Sequence, residues 1–220
     1  MKINKETLNT LKNFSDINMS VEVKAGNTLR TVSVQKNILA QAEVETTFPQ
    51  DFAIYEVNRF LGAASLFDDP EFTFGEKSVK IGNNKYSLDY VYCDPHMIVT
   101  PPENNITVPD PEVRFTLTQE NLSQVLKAGN VLGTPEISVE STGSEMVMKA
   151  MDVNNDSSDT FTVNLDGTPD TKFRFVFKIE NFKMVSGEYD VEISSKGIAR
   201  FSRNKLQYWI ATESSSNYGG

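Results

Sequence analysis

Few residues in this chain are of a type that does chemistry, and their spacing argues against each reaction in turn. His96 is the one histidine and Cys93 the one cysteine. A thiol and an imidazole this close in an irregular, proline-rich segment form no recognisable nucleophile–base pair. A lone cysteine excludes an internal disulfide framework and a cysteine-based zinc site, and reads as a small buried hydrophobe in a cytosolic chain. Asp152-Val153-Asn154-Asn155-Asp156 imitates the start of a calcium loop, but the sixth position is Ser157 where glycine is needed. The twelfth is Val163 where glutamate is needed, so a polar hairpin is expected. Asp68 and Asp69 are adjacent in a turn and would point apart. No glycine-rich phosphate loop occurs, which argues against ATP hydrolysis. We expect no catalytic constellation, metal or cofactor, and a protein that is not an enzyme.

What remains is a sparse set of cations on helical stretches. In Asp51–Phe67 a strand passes into a short helix, with Val57, Phe60, Leu61 and Ala64 on one apolar face and Arg59 as its single basic side chain. Gly62, Ala63 and Ser65 leave the rest smooth. That suits a surface that something slides past, or equally a helix crossing closely over a sheet. Asn4–Asp16 reads as a helix capped by Asn4, with Glu6 in its first turn. Leu8, Leu11 and Phe14 lie on one side of it, and Lys5, Asn9 and Lys12 roughly opposite, a pattern any solvated face can show.

The elements around these stretches are mostly strands. Val21/Val23, Leu29–Val34 and Leu39–Val44 precede the Asp51 corner, and a meander over residues 72–92 follows it. Asp94–Pro111 holds five of the chain's nine prolines and reads as an extended connector. The pattern then restarts. Val113–Leu117 is strand-like, and Thr118 caps a helix whose buried face carries Leu122, Val125, Leu126 and Gly129, with Lys127 elsewhere. Strands follow to Phe173–Phe177, then a one-to-two-turn helix Ile179–Val185 carrying Lys183 and Glu180. A second meander comes next, and a frayed tail, 214–220, ends the chain. The two halves share one order of elements: FAIYEVNRFLG answers FVFKIENFKMVSG, and VKIGNNKYSLDYVY answers IARFSRNKLQYWIA. The expected organisation is one domain over 1–94, a connector over 95–112 and a second domain over 113–213. Each is α+β, with its helices gathered on one face and an edge strand left to be covered, for instance by another subunit.

The net charge is −9 over 220 residues, and neither half is basic. An ordinary DNA-binding domain announces itself by a basic footprint, so any nucleic-acid contact must come from a local cluster. No run of about 18 apolar residues occurs, and no membrane partner is expected.

MKINKETLNTLKNF, FAIYEVNRFLGAASL, TLTQENLSQVLKAGNVL and ENFKMVSGEY, in this order and spacing, resemble the sliding clamps of T-even-type bacteriophages, the DNA polymerase processivity factors. The resemblance runs from Met1 to about Glu213. It implies two similar clamp-type domains per subunit and three subunits closed head to tail around double-stranded DNA. Four helices would line the hole, with antiparallel sheets outside. Lys5, Lys12, Arg59, Lys127 and Lys183 would then face phosphates without reading sequence. The implied partners are a polymerase C-terminal peptide and an ATP-dependent clamp loader, in the cytoplasm of an infected bacterial host. The peptide pocket is expected at Ile98, Val99, Val185, Tyr208 and Trp209. The competing reading is a duplicated β-rich structural or adaptor module that does not encircle DNA.

Overall fold

The computed structural model describes residues 1–219 and divides into two compact units, Met1–Asn104 and Asn105 onward. The first unit runs α1 (Lys5–Ile17), β1 (Val21–Val23), β2 (Gly26–Val32), β3 (Ile38–Phe48), β4 (Phe52–Ile54), α2 (Val57–Ala64), β5 (Glu71–Phe74), β6 (Ser78–Gly82) and β7 (Ser87–Val91). Asn4 caps α1, its side chain accepting from Thr7 N–H at 2.8 Å. Helix α1 lays Leu11 and Phe14, both buried, over β2 and β3. Helix α2 packs on β6 and β7, and its Phe60 meets Phe72 and Tyr90 at ring separations of 6.1 and 5.4 Å. β1 pairs antiparallel with β4, β2 with β3, and β5-β6-β7 form the expected meander. Met1 exchanges two 2.7 Å hydrogen bonds with Phe72 and so covers the open side of β5.

The second unit runs β8 (Val113–Leu117), α3 (Gln119–Leu132), β9 (Glu136–Thr142), β10 (Met146–Met151), β11 (Phe161–Leu165), β12 (Lys172–Lys178), β13 (Tyr189–Ser194), β14 (Ile198–Arg203), β15 (Leu206–Ala211) and β16 (Asn217–Tyr218). One sheet has the order β11-β10-β9-β12-β16, and β8, β13, β14 and β15 pair in turn beside it. Thr118 caps α3, and Gly133, at φ +68°, ends it in the left-handed region that favours glycine. The helix lies so close to the chain after β12 that a β-carbon on Gly129 would stand 2.4 Å from Ile179 Cδ1.

The repeat is visible in the pairing. In each unit the strand after the helix pairs antiparallel with the strand that ends in the corner, β1 with β4 and β9 with β12. Each unit then closes with a three-strand meander.

Two expectations need correction. Ile179–Val185 is not a helix of one or two turns: only Ile179–Asn181 winds, as a single 3-10 turn, so three α-helices stand among the described residues. The tail does not fray. Asn217 and Tyr218 pair with Arg174 and Phe173 as β16, while Gly220 lies outside the described residues. The proline-rich segment is hydrogen-bonded to the unit at either end. Pro95–Met97 forms a 3-10 turn, and Asn18 Nδ2 donates to Val99 O at 3.3 Å. Arg30 donates to Pro102 O at 2.7 Å, which ties the first half of the segment to the first unit. In the second half Ser194 Oγ donates to Pro109 O at 2.6 Å and Lys196 pairs with Asp110 at 2.6 Å.

Candidate nucleic-acid interface

The cations singled out by sequence all lie on helices or the corner, and all five are exposed. In the first unit α1 turns its apolar face to the strands, which leaves Lys5, Asn9, Lys12 and Asp16 as a continuous outward stripe. Lys5 is the first residue of α1, where the helix dipole disfavours a cation, and among the described residues it makes no ion pair. Its position serves neither helix stability nor packing. Lys12 Nζ donates to Asn58 Oδ1 of α2 at 2.8 Å, and Ser15 Oγ donates to the same oxygen at 3.0 Å. Arg59, with 78% of its side chain exposed, stands beside Asn58 and reaches Glu56 at 3.9 Å.

The smoothness of α2 now has a definite reading. Gly62 is exposed, and nothing lies within 4 Å of where its β-carbon would be. It is therefore not there to let a sheet approach. That role belongs to Gly129 in the second unit, whose α3 presents Ser123, Gln124 and Lys127 outward.

Sequence reasoning missed two members of this surface. Asp16 follows Lys12 by one helical turn on the same stripe, a spacing readable beforehand. It dilutes the field of the lysines. Asn58 carried no signal, because its part depends on how α1 and α2 pack.

The residues named for a peptide pocket divide by burial. Ile98 and Val99 are half-buried in the first unit. Val185 is 39% exposed in the second, whereas Tyr208 and Trp209 are buried. Tyr208 is core: its hydroxyl accepts from Val185 N–H at 3.2 Å, and Tyr189 donates to Val185 O. Two tyrosines thus fix the peptide groups on either side of Val185, and burial raises both phenols above their usual range.

Cys93 and His96 are not assembled for nucleophilic chemistry. Burial pushes the Cys93 thiol up, away from the reactive thiolate, and His96 is exposed on the 3-10 turn. Asp152 Oδ1 accepts from Asn154 N–H and Asn155 Oδ1 from Ser157 N–H, which is hairpin turn chemistry between β10 and β11.

A duplicated α+β unit with helices on one face of antiparallel strands, and cations sparse on those helices, is the architecture of a DNA clamp. Among solved structures the chain is similar in fold to the Helicobacter pylori beta clamp bound to a DNA ligase peptide, with TM-score 0.70 and 12% identity over 97% of this chain and 64% of that one. It is similar likewise to PCNA of A. fulgidus bound to the C-terminal region of FEN-1, with TM-score 0.68 and 12% identity over 96% of each chain. The chain thus spans about 64% of the bacterial clamp's length.

Two family models match in tandem, DNA polymerase processivity factor over residues 4–98 and gp45 sliding clamp, C terminal, over residues 114–214. The sliding clamp of Vibrio phage KVP40 is 36% identical over 97% of this chain and 99% of its own. That of Enterobacteria phage T4 is 30% identical over 99% of both. The chain belongs to the phage sliding-clamp family of DNA polymerase processivity factors. This accounts for the repeat, which two family models match in tandem, and disfavours the reading as a structural or adaptor module.

Proposed function

We propose that three copies of this chain close head to tail into a ring around duplex DNA in the cytoplasm of the infected host. The ring tethers the polymerase by topology rather than by catalysis. The carrying observation is the paired surface of α1 and α2, where Lys5, Lys12 and Arg59 are exposed, Lys12 is bonded across to Asn58 of α2, and Gly62 of α2 is exposed too. Lys127 and Lys183 extend the same chemistry in the second unit. Few cations interleaved with Asp16 and Glu56 favour loose, sequence-blind phosphate contacts. A clamp needs such contacts in order to slide, and the acidity elsewhere on the chain does not oppose them locally.

Closure needs two complementary edges. β5 is covered by Met1, β2 packs against β1, and β8 carries the charged Arg114 and polar Thr116. β7 and β11 are the edges with half-buried apolar residues at alternate positions: Leu88 and Tyr90 on one, Phe161 and Val163 on the other. A β7-to-β11 contact is heterologous and generates a ring when the rotation closes.

The polymerase C-terminal peptide then docks in the second unit on the apolar surface at Val185, with Tyr208 acting behind it by holding the Val185 N–H. An ATP-dependent loader opens the ring. Sedimentation of the chain is the test of assembly. Three subunits are expected, and Val91→Lys, on the exposed side of β7, should give monomers. A Val91→Lys protein that still sediments as a trimer would rule out the β7 contact.

A further inference from the structure

The outer edge of β12 carries a feature that the clamp reading does not use. β12 pairs with β9 along all seven of its residues, but on its other side β16 pairs only with Phe173 and Arg174. The rest of that edge is capped piecemeal. Gly219 N–H donates to Lys172 O at 2.9 Å, and Glu213 N–H to Val176 O at 2.7 Å. Val176 N–H donates to a side chain, Ser216 Oγ, at 2.9 Å. A serine hydroxyl thus stands where a longer strand would supply a backbone carbonyl.

The one apolar anchor of this segment is Tyr218. Its ring stacks on Phe173 and on Phe175, each at 6.2 Å, and covers two core phenylalanines at the margin of the sheet. It remains 37% exposed. Beyond it a cleft continues, lined by Met146, Pro169 and Thr171.

The first unit repeats the arrangement. Cys93 N–H donates to Ala53 O at 3.0 Å, the counterpart of the bond from Glu213 to Val176, and Tyr92 stacks on Phe52 at 5.3 Å. In both repeats, then, the open edge of the corner strand is satisfied by extended chain plus one aromatic ring.

We propose that the outer edge of β12 is a strand-docking site for an extended partner peptide of the form Ser/Thr-x-aromatic, with residues 216–218 as its resident, displaceable occupant. The serine satisfies Val176 N–H, the middle residue pairs with Arg174, and the aromatic ring closes over Phe173 and Phe175. A partner strand long enough to span Lys172–Lys178 offers a full ladder, where β16 offers two residues. The resident segment holds the site against shorter peptides because it is tethered beside it. The proposal is independent of ring closure and of the DNA-facing cations.

The probe is a fluorescent peptide with the sequence of residues 213–219, read by anisotropy against the full chain and a chain ending at Glu213. The shortened chain is expected to bind the probe at least tenfold more tightly than the full chain does. A probe with its tyrosine replaced by serine should lose at least tenfold. Equal binding by the folded shortened chain and the full chain, or equal binding of the two probes, would overturn the proposal. Should the shortened chain fail to fold, Tyr218→Ser in the full chain removes the anchor and keeps the backbone. It should bind the probe severalfold more tightly than the unaltered chain, and no gain would overturn the site.

Discussion

Lys12 Nζ lies 2.8 Å from Asn58 Oδ1, so a cation of α1 is held against α2 by an amide oxygen rather than by a carboxylate. An amide fixes the ammonium in place without neutralising it. The charge stays available to a phosphate, and part of the side chain's conformational entropy has already been lost.

The first prediction follows from that contact. Lys5→Glu with Lys12→Glu should lower clamp-dependent polymerase stimulation by about tenfold at moderate salt, through lost phosphate contacts. Sedimentation of the double variant should be unchanged. Unimpaired stimulation would remove these lysines from the DNA-facing surface.

The two helix glycines should respond with opposite signs. Gly62→Ala meets open space and removes backbone freedom, and should stabilise the fold by about 0.5–1 kcal/mol. Gly129→Ala gains the same propensity but drives Ile179 Cδ1 from 2.4 Å and crowds Thr134 Oγ1 at 3.3 Å. Overpacking costs about 1–3 kcal/mol, so a net loss of about 1 kcal/mol is expected in urea unfolding.

Arg30 anchors the connector. Its guanidinium donates to the carbonyls of Pro102, Glu103 and Asn104 at 2.7, 3.4 and 3.4 Å. Arg30→Ala should release this strap, and limited proteolysis should then cut near residues 102–104 several times faster. Arg30→Lys keeps the charge but not the fork, and should restore only part of the protection.

Glu140 supplies a pH-dependent term. Burial raises its pKa, but hydrogen bonds from Lys149 and Ser138 and the charges of Lys149 and Arg174 outweigh this, and the carboxyl titrates below its usual 4.5. A depressed carboxylate stabilises the fold above the unfolded-state value, and that contribution is lost as pH falls through the folded one. Glu140→Gln should therefore cost about 1–2 kcal/mol at pH 7, with the gap closing below about pH 4.5.

Much of this fold was legible in the sequence because local signals agreed with it. Asn4 and Thr118 are caps with the right side chains, and apolar periodicity placed α1, α2 and α3 on their buried faces. The fourth helix failed because Ile179–Val185 is held by tertiary contacts. Ile179 packs under Gly129, Tyr189 and Tyr208 grip Val185, and these hold the chain in an irregular path after one 3-10 turn. The tail failed for the opposite reason. Its polar serines suggest fraying, whereas the β16 pairing, the hydrogen bonds of Glu213, Ser216 and Gly219 to β12 and the stacking of Tyr218 together order it. The pocket residues were the least legible, since alternation along β15 does not tell that Tyr208 and Trp209 are both covered.

The central claim is topological tethering, and the most direct measurement is retention on DNA of known topology. Clamp loaded onto a nicked circular duplex should remain bound through gel filtration and should run off when the circle is cut at one site. Equal loss from the circular and the linear DNA would contradict the account.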